Sequence, residues 1–434
     1  MHRRHLLGLS ALAIAAPLTA CGPRKPEPAP TPSTTVPAGM VLLGAGETKA
    51  ELAQQPGKAT EATGEAACTF AAWLAKSLDH DGDLLVSPTS LALPLAMLAN
   101  GAKAESLSDL LSLLGFGSLD ELNSQLGAVQ QALASRNRKV ESGQRSGEVA
   151  LEVSNALWAQ QATPVRKTFL EACARWYGSG VHGVDFTASQ QAADAINDWA
   201  AERTNDRIKD LVTAEAITSE TRLVVTNAIW FKAPWAEEFS RGEKLSFTHD
   251  DSTTTPVESF RASSKLWADG PGWQASVLDY LGGDLAMALV LPEEGKDEPL
   301  LDVWAAGGLH RMLTGWRRAQ VRLTVPLWQH EQEIALQEPL RKMGVRHLFV
   351  GDSDVDLTGI RDEELAVTAA VQKTWISVDE KGTEAAAATA LTVGATSVKE
   401  PEEQHELVLD RPFWYVIFDR QSATPLFLGR VAKP

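Results

Sequence analysis

Two periodicities divide the chain. Up to about residue 203, apolar positions recur every three to four residues, the spacing of a buried helix face. The pattern runs through AACTFAAWLAKSL (66–78), SPTSLALPLAMLANGA (87–102), SLSDLLSLLGF (106–116) and SLDELNSQLGAVQQALA (118–134), and returns over 167–177 and 189–203. One strand, ALEVSNALWA (150–159), interrupts it. After residue 220 the chain turns to β-branched and aromatic runs: RLVVTNAIWF, QASVLDYL, DLAMALVLP, AQVRLTVPLW, LAVTAAVQKTWISV, PFWYVIFD and PLFLGRV. Gly282 and Gly283 join the second run to the third as a hairpin, and Gln421 to Thr424 tip the last pair. Helices mostly first and strands mostly last, without regular βαβ alternation, predict an α+β architecture in one large domain.

One stretch fits both periods. In DEKGTEAAAATALTVGATS (379–397), Thr383, Glu384 and the run Ala385 to Ala388 are good material for an N-capped helix. Extended, the same residues place Thr383, Ala385, Ala387, Thr389, Leu391 and Val393 on one uncharged face, with Glu384 on the other. Local sequence does not choose between the two.

With 434 residues, 44% of them hydrophobic, the chain can bury a sizeable core. A formal net charge of −16 without any compensating Lys/Arg cluster argues against nucleic acid or an anionic membrane surface as the partner. The start, MHRRHLLGLSALAIAAPLTAC, has Arg3 and Arg4, an apolar run from Leu6 to Ala16, and then Leu18, Thr19, Ala20 and Cys21. That layout is an export leader, too short for a stable membrane-spanning helix. Its end resembles the bacterial lipobox, which implies a signal peptide over 1–20 and a lipid on Cys21. An ordinary secretory leader and an uncleaved anchor are the alternatives, and the twin arginines leave Sec and Tat export both open. Residues 21–62 are rich in proline and alanine and poor in large apolar side chains, so they are expected to form a flexible tether to a folded part over 63–434. Cys68 and Cys173 sit in helical apolar patterns and are expected to be separate buried thiols.

No catalytic motif stands out. Gly351, Asp352, Ser353 and Asp354 lack the second glycine of a nucleophile elbow, and His330 with Glu331 lacks the second histidine of a zinc helix, since Ile334 stands there. Glu293 and Glu294, like Asp352, Asp354 and Asp356, read as solvated loop carboxylates. Neither a cofactor nor a metal is expected, and an enzyme is the least supported class.

Four stretches together resemble the serpin family. SPTSLALPLAMLANGA is similar to its shutter helix, TNAIWFKAPW (226–235) to the central strand of its largest sheet, and VQKTWISVDEKGTEAAAATA to the strand that leads into its reactive loop. DRPFWYVIFDRQSATPLFLGRVAKP is similar to its C-terminal hairpin. The resemblance spans about 64–434 in the family's order and implies three β-sheets, eight or nine helices and an exposed reactive-centre loop, here about 380–402. It also implies a suicide inhibitor of serine proteases: cleavage lets the loop insert as a new strand of the main sheet, carrying the trapped protease with it. Ser87, Ser90 and Asn227 match polar positions of the shutter, and Trp235 matches the tryptophan beneath the point where insertion begins, the breach. Simpler readings stand beside these: Ser87 as a helix cap, Asn227 as a satisfied buried amide, Trp235 as core. Gln372 stands where the family often has histidine, and an amide does not titrate near neutrality.

The loop is fit to insert. An ionised group on the buried face of a new strand would cost several kcal/mol, and the face from Thr383 to Val393 has none. Gly382 supplies backbone freedom next to Glu380 at the hinge, and no proline interrupts 380–398. Counting from Gly382 as the family does puts the reactive bond between Thr396 and Ser397. Ala395 and Thr396 are small and neutral, which suits an elastase-like or subtilisin-like protease. Val393, Leu391 and Lys399 are alternative bait, the last for a trypsin-like enzyme. The expectation is a monomeric inhibitor, lipid-anchored at the outer membrane or cell surface, otherwise secreted; a non-inhibitory binding or structural lipoprotein on the same fold is the alternative.

Overall fold

The computed structural model describes residues 40–43, 61–79, 81–143, 145–161, 164–384 and 403–434, which lie within one compact unit, Pro37–Pro434. The described residues carry nine α-helices and three sheets, an α+β fold. Cys21, Ala385, Ala387, Thr389, Leu391, Val393, Thr396, Ser397 and Lys399 lie outside the described residues.

The helices are α1 (Glu61–Ser77), α2 (Pro88–Ala99), α3 (Ala104–Leu114), α4 (Leu119–Arg136), α5 (Lys167–Tyr177), α6 (Ser189–Arg203), α7 (Asp297–Val303), α8 (Leu309–Thr314) and α9 (Gln337–Lys342). The first six follow the apolar periodicity of the sequence. α4 begins with Ser118, whose hydroxyl accepts from the Glu121 amide at 3.2 Å, and α3 ends on Gly115 in a left-handed conformation. α2 is buried along its whole length and packs against strands of both large sheets.

The main sheet contains β1 (Val41–Leu43), β3 (Arg138–Ser142), β4 (Arg145–Gln160), β5 (Val181–Val184), β6 (Leu223–Pro234), β14 (Trp328–Ala335), β15 (Ala369–Asp379) and β16 (Gly382–Thr383). Its order is β1-β5-β4-β6-β16-β15-β14, with β3 on β4. The second sheet contains β2 (Leu84–Val86), β7 (Ser240–Arg241), β10 (Ser259–Gly270), β11 (Trp273–Asp279), β12 (Leu285–Pro292), β13 (Arg317–Pro326), β17 (Gln404–Val408), β18 (Phe413–Asp419) and β19 (Thr424–Val431). Its order is β17-β13-β10-β11-β12-β18-β19-β2, with β7 on β10. β8 (Leu245–Thr248) and β9 (Thr254–Val257) form the third sheet. The β11–β12 hairpin closes through Gly282 and Gly283 at φ of 95° and 74°, a region that residues with a Cβ rarely adopt.

Within the stretch read as a tether, Met40–Leu43 depart from expectation. Val41–Leu43 pair with β5, and Met40 is buried against the cluster that holds Trp158 and Trp199. Four apolar residues between Gly39 and Gly44 are too few to signal a strand, but an unpaired sheet edge supplies partners for the backbone of Val41–Leu43. Glu61 and Ala62, the last two residues of that stretch, open α1.

Next to β1 lies His182 of β5, mostly buried, its ring 4.8 Å from Trp158 and 6.1 Å from Trp199. Burial, helped by the nearby Arg203 charge, pulls its pKa down from 6.5 to about 4. Above about pH 6.5 both folded and unfolded chains hold this ring neutral. Between there and about pH 4 only the unfolded chain takes up the proton, so stability falls with pH through that window and levels off below it. Thermal unfolding of the wild type and His182→Phe, from neutral pH to about 4, measures this. The wild type is expected to lose more stability than the variant, and equal losses would remove His182 from the account.

Candidate functional site: the split main sheet

β6 and β15 are parallel neighbours that pair directly over only half of β15. Ala369–Thr374 face Val224–Ile229 in register; beyond Ile229 the strands part. Into the gap turns the chain after β15, and Gly382 and Thr383 pair antiparallel with both sides, Thr383 opposite Ala233 and Val378. The hinge expected to belong to an exposed loop is therefore already seated at its first two positions.

The reason lies in what the gap accepts. Gly382 has φ of 154°, and a Cβ there would stand 2.2 Å from the Ala233 carbonyl oxygen, so no other residue fits without displacing β6. Thr383 is fully buried, and its hydroxyl lies 2.6 Å from the Tyr280 hydroxyl, so each can satisfy the other. Burial pushes the Tyr280 phenol pKa up, which keeps it neutral there. Tyr280 stacks on Trp235 at 4.5 Å, and Trp235 donates its indole N–H to the Asp379 carbonyl at 2.8 Å and its backbone N–H to Lys381 at 2.9 Å. Trp235 thus binds both ends of the turn that returns the chain into the sheet. Asp379 tightens that turn by accepting from the backbone of Lys381 and Gly382, at 2.8 and 3.2 Å. Glu380 faces the Arg241 guanidinium at 2.9 Å.

Glu384 marks the last described position before 385–402. Its carboxylate is held by the Arg207 guanidinium and the Trp230 indole N–H, and its backbone N–H donates to Ser377 at 2.9 Å. Arg207 in turn lies over the Trp375 ring at 5.0 Å. Glu384 has φ of 49°, uncommon for a residue with a side chain, so the chain bends out of strand geometry where the clamp grips it.

Below the split a buried polar network ties the closed half together. Gln372 and Asn227 are register partners on β15 and β6. The Gln372 amide accepts from the Ser87 N–H and donates to the Ser87 carbonyl, both at 2.9 Å, and donates to the Asn227 side-chain oxygen at 2.6 Å. Asn227 donates to the Ser90 carbonyl at 3.0 Å and also reaches the Ser90 hydroxyl and the Asn155 amide oxygen. Pro94 explains why that carbonyl is free: it has no N–H to give to the residue four positions back inside α2. Ser87 sits where an N-cap would, yet its hydroxyl donates to Leu426 of β19 at 2.6 Å instead of capping α2.

The structure brings Ser87, Ser90, Asn227 and Gln372 into one cluster, and Glu380, Gly382, Thr383 and Trp235 into another. Sequence reasoning missed Tyr280, Arg207, Trp230, Asn155 and Pro94. Only Glu384, the lone charge opposite an uncharged face, carried a signal pointing to the clamp. Among the described residues, no group of three or more His, Cys, Asp or Glu could hold a metal ion.

Residues 65–434 match the family model described as serpin, serine protease inhibitor. An uncharacterised serpin-like protein of Thermococcus kodakarensis is 32% identical over 359 residues, 82% of each chain. The leukocyte elastase inhibitor of Bos taurus is 29% identical over 81% of this chain and 93% of its own. Among solved structures, the native state of the thermophilic serpin tengpin superposes with a TM-score of 0.77 at 24% identity, covering 88% of this chain and 96% of tengpin's, which supports the fold. The sheet order, the split between β6 and β15 and the match over 65–434 place the chain in the serpin family.

Proposed function

We propose that this serpin is an exported suicide inhibitor of serine proteases, held extracytoplasmically by a lipid on Cys21. The observation that carries the inhibitory reading is the seated hinge: Gly382 and Thr383 already occupy the gap that a cleaved loop would extend. The residues that would follow into the sheet on Thr383's face, Ala385, Ala387, Thr389, Leu391 and Val393, are uncharged. In this reading the protease serine oxygen attacks the Thr396 carbonyl carbon and the bond to the Ser397 nitrogen breaks. The proton passes through the protease's own base to the leaving amine, and the ester remains. Insertion then competes with water for that ester. Small side chains at Ala395 and Thr396 favour an elastase-like or subtilisin-like target, and Lys399 a trypsin-like one.

Mixing the purified protein with proteases of the three kinds is expected to yield an SDS-stable complex with one of them and a released peptide that begins at Ser397. Turnover without any complex would refute the inhibitory reading. Thr383→Arg forces a charge into the fully buried position beside Tyr280. It should leave cleavage intact and abolish the complex, and an unchanged complex would show that insertion does not pass through this position.

The polar cluster makes a separate prediction. Asn227→Ala removes an acceptor from Gln372 and strands the Ser90 carbonyl. Each of these two unsatisfied buried groups costs about 1–3 kcal/mol, so the apparent Tm should fall by about 3–8 °C. An unchanged Tm would mean that the network does not hold the sheet closed.

A further inference from the structure

The second sheet is split as well as the first. β10 and β11 pair only from Trp267 with Ser276 to Gly270 with Trp273. Beyond that level β10 stays with β13 and β7, and β11 with β12. The parting coincides with a register shift between Ser264 and Leu266, the mark of a bulge, which bends a strand and re-aims its side chains. In place of a ladder bond, the Ser264 hydroxyl donates to the Val277 carbonyl across the opening at 2.6 Å. The chain that leaves β6 also walls the opening: the Ala236 N–H donates to the Asp279 carbonyl at 2.8 Å, and Phe239 stacks on Phe260 with ring centres 5.9 Å apart. A cleft of about 580 Å³ remains between these segments. That volume suits a small ligand.

We propose that this cleft binds a small organic acid, its apolar body on Phe239, Leu266 and Val277 and its acid group at Lys265 and Arg322, all of which line it. Arg322 stands opposite Ser263 in register, and Lys265 follows Ser263 by two residues, so the fold brings together two cations that lie far apart in the sequence. Among the described residues neither has an ion-pair partner. Glu406 faces Arg322 from β17 in register, yet makes no ion pair with it. On a chain of net charge −16, two unpaired cations beside an apolar floor are a local exception, and an anion that enters gains both charges while it buries its body.

Two carboxylates also line the cleft. Asp279 is already held by the Arg420 guanidinium, with Nε at 2.6 Å. Glu237 only accepts from the Ser263 hydroxyl at 3.3 Å, so its charge opposes an incoming acid. Gln404 of β17 lines the cleft too. A ligand seated there spans β10, β13, β17 and the segment after Trp235, and its binding stabilises the fold by mass action.

The probe is 8-anilinonaphthalene-1-sulfonate, an aromatic body with an acid group, titrated into the purified protein and followed by its fluorescence. Saturable binding of one dye per chain is expected. Lys265→Glu and Arg322→Glu together should weaken it at least about tenfold, while Glu237→Gln should tighten it about twofold. The uncharged analogue N-phenyl-1-naphthylamine should respond to neither change. The dye should raise the unfolding temperature of the starting protein and leave that of the double variant unmoved. Decanoate is expected to displace the dye, and decanol, which carries no charge, to leave it in place. Undiminished dye affinity in the double variant, an equal loss for the uncharged analogue, or displacement by decanol as readily as by decanoate would each overturn the site. Binding at another apolar surface, such as that of exposed Trp73, would give the first of these results. Lys265 and Arg322 are exposed, so the fold should tolerate both changes. Should the double reversal itself lower the unfolding temperature, Lys265→Gln with Arg322→Gln removes the charges alone and decides the question.

Discussion

Six residue pairs hold the main sheet shut. Over Ala369–Thr374 and Val224–Ile229, β15 and β6 share a parallel ladder, and Gln372 and Asn227 join beneath it. Any strand that enters between β6 and β15 beyond the hinge must first break this ladder and leave buried amides without partners. Each such group costs about 1–3 kcal/mol, while each new ladder bond returns about 1 kcal/mol net. Opening is therefore met early and in one place, whereas the return accumulates along the whole inserted strand. A strand that entered there would thus meet its cost before its return.

Ser90 shows how closely the helix beneath is fitted to the task. A proline in the middle of α2 would ordinarily weaken it by about 3 kcal/mol. Here the carbonyl it releases is taken up by Asn227, so a flaw in the helix becomes a bond across to the sheet. The same helix gives the Ser87 hydroxyl to Leu426 and the Thr89 hydroxyl to Pro425, both at 2.6 Å. α2 is thus tied to β6 and β15 on one side and to β19 on the other.

Much of this was legible from sequence, and the limits are physical. The periodic helices α1 to α6 and the β11–β12 and β18–β19 hairpins declared themselves, because burial of one face and the turn residues act locally. Gly382, Thr383, Asn227 and Gln372 could be singled out only through likeness to a family. Their partners could not, since Tyr280, Arg207 and Trp230 reach the hinge from distant parts of the chain and no local pattern marks them. β1 escaped because an edge strand of three residues draws its stability from its neighbour. Seating of the hinge was not legible either: the run through Ala388 satisfies helix and strand periods equally, and only the gap above Ile229 decides for Gly382 and Thr383.

The ties from α2 to β19 also order events in time. Ser87 and Thr89 emerge from the ribosome early, yet the carbonyls that satisfy their hydroxyls belong to Pro425 and Leu426, more than three hundred residues later. β2 waits in the same way for Leu428 to Arg430. The nascent chain therefore cannot complete the centre of its own fold until Pro425 to Arg430 have been synthesised. Contacts of such long sequence separation form slowly. The centre of the fold around α2 thus stays incomplete until the C-terminal hairpin is available to it.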